Sequence, residues 1–576
     1  MARRPEHEVR RLHWELVAVG VMAVVMGLLL VVLLPAGVAP SLLPLHPTRP
    51  LQAATTMCFL VGLLFIGAAV LHRRWYFSQA RRFRRELGDP EGWLDRYDYD
   101  AEAGPDAVRA ENERVEPHTR LDARETPLPM MRHGFSPGRL VSGPWNLRGR
   151  EVYSQWSRGV CVLGPQGSGK SQLLVNIALD APGAAVINST KPEITQLCRD
   201  LREVLGPTGV FNPLGTGGLA NTVWWDPVGG CADEATAQRR AEAMVRGAGG
   251  AEGVNRASFW AGKAGEVLRC YLMAAALGEL DMTAVMHWAN NPDSDPTPLS
   301  ILESHPDTPS GWASQLRSAL ETVKETRDGY FATVTSAVAF MDSATVRTAC
   351  RPAPGLGFDI RGWLRARGTL FMIGSDDDRR LAPLFTAFTE EFFFVAKRVA
   401  ADEDGGRLRS PLTFLLDEVA HMTPVPLQKW AGDSRGWGIT VIPVVQSLSQ
   451  FASTWGPDNA KTIWRNLPVR LVLPGVNDRE TLDELSYLAG VRPVREVTVG
   501  TTHHSGGFGT SRSERLSTEP VISGSSIGAI PRWHIYVLGL ARHPAVVRYE
   551  PGYRRVARES AELDRHRAFT TTDQAA

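Results

Sequence analysis

Between Gly159 and Ala181 the chain reads GVCVLGPQGSGKSQLLVNIALDA, an apolar run, a glycine-rich turn with one lysine, and a stretch of helical character. Gly164, Pro165, Gln166, Gly167, Ser168, Gly169, Lys170 and Ser171 complete the spacing G-x-x-x-x-G-K-S in the strand, loop and helix context that this motif requires. Glycines at these positions let backbone N–H groups turn inward around phosphate oxygens, and the helix start adds partial positive charge. Lys170 reaches terminal phosphates and Ser171 can ligate Mg²⁺, so ATP and Mg²⁺ are the expected cofactors. A second pattern, SPLTFLLDEVAHM, places Asp417 and Glu418 at the end of the apolar run Leu412 to Leu416. There Asp417 would orient a Mg²⁺ shell and Glu418 would polarise an attacking water. The competing assignment is an acidic cap opening the next helix. Gln446 ends the run ITVIPVVQS and is placed to sense a γ-phosphate, unless it is an ordinary strand-end amide.

These residues need a scaffold, and the runs around them describe one. GAAVINSTK (183–191), GTLFMIGS (368–375), ITVIPVVQS (439–447) and VRLVLPG (469–475) are short apolar segments alternating with helical patterns. That is the grammar of an α/β fold with a mostly parallel central sheet, whose ligands gather at the strand ends. From about 232 to 364 the chain reads largely helical, in EATAQRRAEAMVRGA, SFWAGKAGEVLRCYLMAAALG, MTAVMHWA and GWASQLRSALETVKET. A structureless loop of that length would be unusual, so an inserted all-α domain is expected.

Two uncharged apolar runs, Leu16 to Leu34 and Leu51 to Leu71, have the length of membrane spans. Arg3, Arg4, Arg10 and Arg11 before them and Arg73, Arg74, Arg81, Arg82, Arg84 and Arg85 after them predict a two-helix transmembrane hairpin with both ends in the cytoplasm. Overall charge says little, since 63 Lys and Arg nearly cancel 62 Asp and Glu. The six cysteines have no metal-ligand or disulfide spacing, which fits a reducing compartment. The expected organisation is therefore an N-terminus (1–15), a hairpin (16–71), a juxtamembrane connector (72–135), a nucleotide-binding domain (136–231 and 365–555), the all-α insertion (232–364) and a polar tail (556–576) frayed after Tyr553.

The order of these motifs resembles the type IV coupling proteins, the TraG/TraD-like membrane ATPases of conjugation and type IV secretion. The resemblance rests on the two spans, then GPQGSGKS, INSTKPE, FNPL, VWWDPV, the long insertion, LLDEVAHM, SRGWGITVIPVVQSLSQ and LVLPGVNDRETLDELSYLAG. INSTKPE departs from the D-x-K-x-E form, with Asn188 or Ser189 near the usual Asp. The resemblance implies a RecA-like P-loop NTPase that forms a homo-hexameric ring and couples ATP hydrolysis to translocation of single-stranded, relaxase-bound DNA. It implies relaxosome and secretion-channel partners, and a place in the inner, cytoplasmic membrane as a multi-pass protein. It assigns Lys170, Glu418 and Gln446 to catalysis, Ser171 and Asp417 to the metal, and Arg435 to an arginine finger reaching a neighbour's nucleotide; from the residues alone, Arg435 could equally pair with Asp433. The alternatives are a double-stranded DNA pump of the FtsK/HerA type and a membrane scaffold that moves nothing.

Smaller features carry less. Phe259, Trp260 and Lys263 could contact nucleic acid, but helix-core packing is the plainer expectation for the two rings. GTTHHSGGFGTSRSERLST (500–518) is expected to be a mobile loop in which His503 and His504 are solvated rather than metal ligands. IPRWHIYVLGLARHPAVVRYEPGY is expected to form an edge hairpin.

Overall fold

The computed structural model describes residues 15, 17–26, 28, 49–76, 83, 87, 91–116, 129–249, 255–353, 355–375, 378–504 and 507–575. It divides into two units, Met1–Asp89 and Pro90–Ala576.

The first unit holds the two apolar runs, and here expectation and structure part. Among the described residues no helix is long and apolar enough to cross a membrane. The first run is described as helix mainly over residues 17–26, which at 1.5 Å per residue spans about half of a hydrocarbon core of ~30 Å. The second lies in helix Arg49–Tyr76, whose described side chains cover only residues 56–71. The transmembrane hairpin and the multi-pass location in the cytoplasmic membrane are thereby withdrawn. The arginines expected to orient the hairpin, and much of the connector, lie outside the residues whose side chains are described.

The second unit is built on strands whose apolar runs are continuous because both faces are covered. The strands are β1 (Gly134–Leu140), β2 (Glu151–Gln155), β3 (Val160–Leu163), β4 (Ala185–Ser189), β5 (Thr208–Phe211), β6 (Thr369–Ile373) and β7 (Leu412–Leu416). They continue with β8 (Ile439–Val445), β9 (Val469–Val472), β10 (Val491–His504), β11 (Gly507–Pro520), β12 (His534–Leu538) and β13 (Ala545–Arg548). Eleven of these form one sheet in the order β2-β1-β13-β12-β9-β3-β8-β7-β4-β6-β5. From β9 to β5 every pairing is parallel, with Val162 opposite both Val444 and Leu471, and Asn188 opposite both Leu416 and Met372. Residues of β3, β4, β6, β7 and β8 are all buried. The expected hairpin β12–β13 forms but is not an edge: β1 and β2, from the segment before the P-loop, extend the sheet beyond it.

Two further expectations are corrected. The Gly/Ser/Thr/His-rich stretch is a two-stranded antiparallel ribbon, β10 against β11, running from Val491↔Pro520 to His504↔Gly507. Antiparallel pairing of neighbouring segments satisfies the backbone locally, so polar composition does not forbid it. The tail after Tyr553 is helical over Gly552–Ala575, and it is fastened to the end of helix Lys170–Asp180 through Arg555, which pairs with Asp180 at 2.7 Å and, within its own helix, with Glu559 at 2.7 Å.

Between β5 and β6 the chain is helical, beginning with Glu234–Gly247, Asn255–Leu277 and Met282–Asn290 and including Lys324–Val338. Tyr271 packs between Trp288 and Phe331, forming an apolar centre for these helices. Trp260 lies over Gly329 and near Tyr330, as core packing requires, whereas Phe259 is 52% exposed. Helix Glu234–Gly247 closes against helix Ala382–Asp402 at Gly247, where a Cβ would come within 2.5 Å of the Pro383 Cα. The same junction holds the ion pairs Arg240–Glu391 at 3.2 Å and Arg246–Glu390.

Glu390 is largely buried there, and burial, opposed by the Arg246 guanidinium, pushes its carboxyl up to about 7. A raised folded pKa contributes stability that is complete below the unfolded value near 4.5 and is lost as pH rises through about 7. The thermal midpoint is therefore expected to fall between about pH 5 and about pH 7, and Glu390→Gln to flatten that slope in melting curves. An unchanged slope in the variant would mean that other groups set it.

Candidate nucleotide site

The site is assembled at the C-terminal ends of β3, β8, β7 and β4, which the sheet order makes consecutive neighbours. After β3 the chain turns through Gly164–Gly169 into helix Lys170–Asp180. Gly167 at φ 78° and Gly169 at φ 97° occupy the left-handed region that side chains avoid, and Gly169 forms the helix N-cap. Backbone N–H groups at this helix start suit an anion. Lys170 and Ser168 are buried, and neither the Lys170 Nζ nor the Ser168 Oγ finds a hydrogen-bond partner among the described residues. An ammonium group taken out of water without a partner is costly, and a phosphate oxygen is the chemistry that would offset it. The residues present therefore fit a nucleoside polyphosphate.

Residues far along the chain secure the cradle. The Tyr549 hydroxyl donates to the Gly169 carbonyl at 3.3 Å. The Tyr553 N–H donates to Gln172 Oε1 at 2.8 Å, and Asn176 Nδ2 donates to the Glu550 carbonyl at 2.7 Å. Below them the Arg202 guanidinium donates to Thr369 Oγ1 at 2.9 Å, to the Gly183 carbonyl at 2.7 Å and to the Ala181 carbonyl. Burial lowers the Arg202 pKa to about 10, so it remains a cation at neutral pH. These bonds tie the end of the P-loop helix to β4 and β6.

Asp417 is buried at the end of β7 and accepts a hydrogen bond from Ser189 Oγ at 3.2 Å. Ser189 Oγ in turn accepts the Lys191 N–H at 3.2 Å. Asn188, one residue earlier on β4, donates instead to Thr389 Oγ1 at 3.3 Å. Successive strand residues face opposite sides, so of the two candidates in INSTKPE it is Ser189 that reaches the acidic strand. Asp417 does not cap the next helix: the short helix Val419–Met422 has Glu418 at its N-cap, with no side-chain capping bond.

Glu418 adopts φ 53° and ψ 45°, a left-handed backbone that costs a non-glycine residue roughly 1 kcal/mol. The turn brings the carboxylate to Gln446, whose Nε2 lies 3.5 Å from Glu418 Oε1. Both residues line a cavity of about 170 Å³ together with Gln166 of the P-loop. A carboxylate and an amide side by side in a cavity that a P-loop residue also lines can hold and polarise a water.

Arg435 is not brought to this site. It lies before β8 and Gln446 lies after it, so seven strand residues, about 23 Å at 3.3 Å each, separate the two ends. Its expected local partner is also engaged elsewhere: Asp433 accepts from Lys397 at 2.5 Å and from Trp437 at 3.1 Å. Sequence reasoning overlooked Ser189 as the partner of Asp417, Tyr549 against the P-loop, and His421 and Gln450 beside Glu418. Of these, His421 was within reach, since it stands one helical turn after Glu418 in DEVAHM. The His503 and His504 side chains lie outside the described ones, and among the described residues no group of His, Cys, Asp and Glu is arranged to hold a metal ion by itself.

The parallel sheet, glycine cradle and strand-end carboxylates define an α/β P-loop NTPase. Residues 411–532 match the family model described as the TraM recognition site of TraD and TraG. Over 118 residues the chain is 30% identical to the conjugal transfer protein TraG of Rhizobium radiobacter and 30% identical to that of Agrobacterium fabrum, in each case covering 20% of this chain and 18% of the relative. The match thus spans about a fifth of those relatives. The solved bacterial conjugative coupling protein TrwBdeltaN70 aligns with a TM-score of 0.50 at 20% identity, over 68% of this chain and 85% of that one. The plasmid coupling protein TrwB in complex with ADP and Mg²⁺ aligns equally well, over 69% and 86%. At that identity the likeness speaks for the fold alone, and the family model adds that residues 411–532 are similar to the corresponding region of TraD and TraG.

Proposed function

We propose that this protein is a RecA-like ATPase that couples ATP hydrolysis to delivery and translocation of single-stranded DNA, carried with its relaxase, into a type IV secretion channel. The observation that carries the reading is the buried Lys170 ammonium, without a hydrogen-bond partner among the described residues, at the end of a loop whose Gln166 lines a cavity with Glu418 and Gln446. Gly164 to Ser171 would hold the phosphates, and Ser171 with Asp417 would hold Mg²⁺, which supplies charge neutralisation on the terminal phosphates. Ser189 orients the Asp417 carboxylate, and Glu418, steadied by Gln446, takes the proton of the attacking water. Residues 136–231 and 365–555 form the nucleotide-binding domain, and the helices of 232–364 form a substrate-recruiting insertion.

The distance of Arg435 from its own P-loop supports a finger offered to a neighbouring subunit, and hence a homo-hexameric ring. The match to a TraM recognition site supports docking of a relaxosome protein on residues 411–532. Phosphate-release assays decide among the cargo readings. Single-stranded DNA is expected to stimulate hydrolysis several-fold, and the stimulation to fall steeply as salt is raised from about 50 to about 200 mM. Stimulation by double-stranded DNA alone would indicate a duplex pump, and no response to either would indicate a scaffold or a protein cargo.

A further inference from the structure

The turn between β6 and helix Ala382–Asp402 carries two adjacent arginines in different surroundings. Arg380 is neutralised at once, its Nε and Nη2 donating to the two Asp378 oxygens at 2.9 and 2.8 Å. Arg379 points elsewhere: its Nη2 donates to His421 Nδ1 at 3.0 Å. A guanidinium can only donate and stays charged, so His421 must present a lone pair at Nδ1 and is held as the neutral tautomer. The Nε2 edge of that ring lies 3.5 Å from Gln450 Nε2, and Gln450 Oε1 accepts the Gln446 N–H at 2.7 Å. Arg379 is thus oriented by a neutral ring; the Gln450 side chain lies beside that ring without bonding to it and holds the Gln446 backbone, and the Gln446 side chain reaches Glu418.

Arg379 also lines the cavity of about 170 Å³ that holds Gln166, Glu418 and Gln446. A permanent cation steered by a neutral ring into a cavity shared with the P-loop is suited to an oxyanion. We propose that Arg379 is a phosphate-contacting residue supplied by the same chain, with His421 as its positioning residue, and that it recognises the terminal phosphate of a bound nucleoside triphosphate. The proposal rests on the nucleotide reading above and deepens it. Arg379 differs from Arg435 in kind, because it sits on the same sheet edge as its own P-loop and needs no neighbour.

The test measures binding of ADP and of a non-hydrolysable ATP analogue, each with Mg²⁺, by calorimetry on the full chain. Arg379→Ala is expected to weaken the ATP analogue about 10- to 100-fold, the range for a lost charge-assisted hydrogen bond, and ADP no more than about twofold. Arg379→Lys should recover part of the loss, and His421→Ala should produce a smaller loss with the same preference for the triphosphate. Equal weakening of both nucleotides by Arg379→Ala would assign the residue a structural role and overturn the proposal, as would unchanged triphosphate affinity. If the unaltered protein binds neither nucleotide, the nucleotide reading itself falls and the proposal falls with it.

Discussion

Lys170→Ala is expected to reduce nucleotide hydrolysis by about 10³-fold or more while leaving the unliganded protein as stable as before. The first half follows from position: Lys170 opens the P-loop helix, and removing a preorganised charge from a phosphate-transfer site typically costs 10²- to 10³-fold for a single donor, with lost binding in addition. The second half follows from surroundings. The Nζ atom is buried and makes no hydrogen bond among the described residues, so alanine breaks no bond and removes the cost of a desolvated charge. Phosphate release and a melting curve on the same preparation check both halves. Retained hydrolysis would remove the motor reading, and a large drop in melting temperature would mean that Lys170 has a structural partner.

Glu418→Gln is expected to bind ATP within about twofold of the unaltered protein and to turn it over about 10²- to 10⁴-fold more slowly, the range associated with loss of a general base. The substitution isolates charge well. Glutamine keeps the length of the side chain and can still accept from Gln446 Nε2, and whatever strain the left-handed backbone at φ 53° stores is the same in both proteins. Normal turnover would mean that the base lies elsewhere in the cavity.

What the sequence disclosed, and what it hid, follow from how local each feature is. The P-loop and strands β3, β4, β6, β7, β8 and β9 were legible because strands buried on both faces read as unbroken apolar runs bounded by glycine and polar residues. β5 offers only Val210 and Phe211 as apolar side chains, and β1 is interrupted by Gly138 and Pro137, so neither carried enough pattern to be recognised. The roles of Asn188 and Ser189 were undecidable from INSTKPE, because composition does not reveal which side of a strand faces a neighbour. The register of β4 against β7 decides it. The ribbon of β10 and β11 and the helix from Gly552 were misjudged for a shared reason: both are polar, and their order comes from backbone pairing and from pairs such as Arg555–Glu559 rather than from an apolar face. Arg379 and His421, 42 positions apart in the chain, meet only once β6 and β7 are laid in one sheet.

The bonds from Tyr549, Glu550, Tyr553 and Arg555 back to the P-loop helix also set a schedule for the protein's birth. At synthesis rates of 5 to 20 residues per second, roughly 20 to 75 s pass between emergence of Asp180 and of Arg555, which pairs with it. During that interval the glycine loop exists without the residues that brace it. A nascent chain therefore carries the glycine motif without a secured cradle until its last strand and helix have arrived, and so does a chain that stops early.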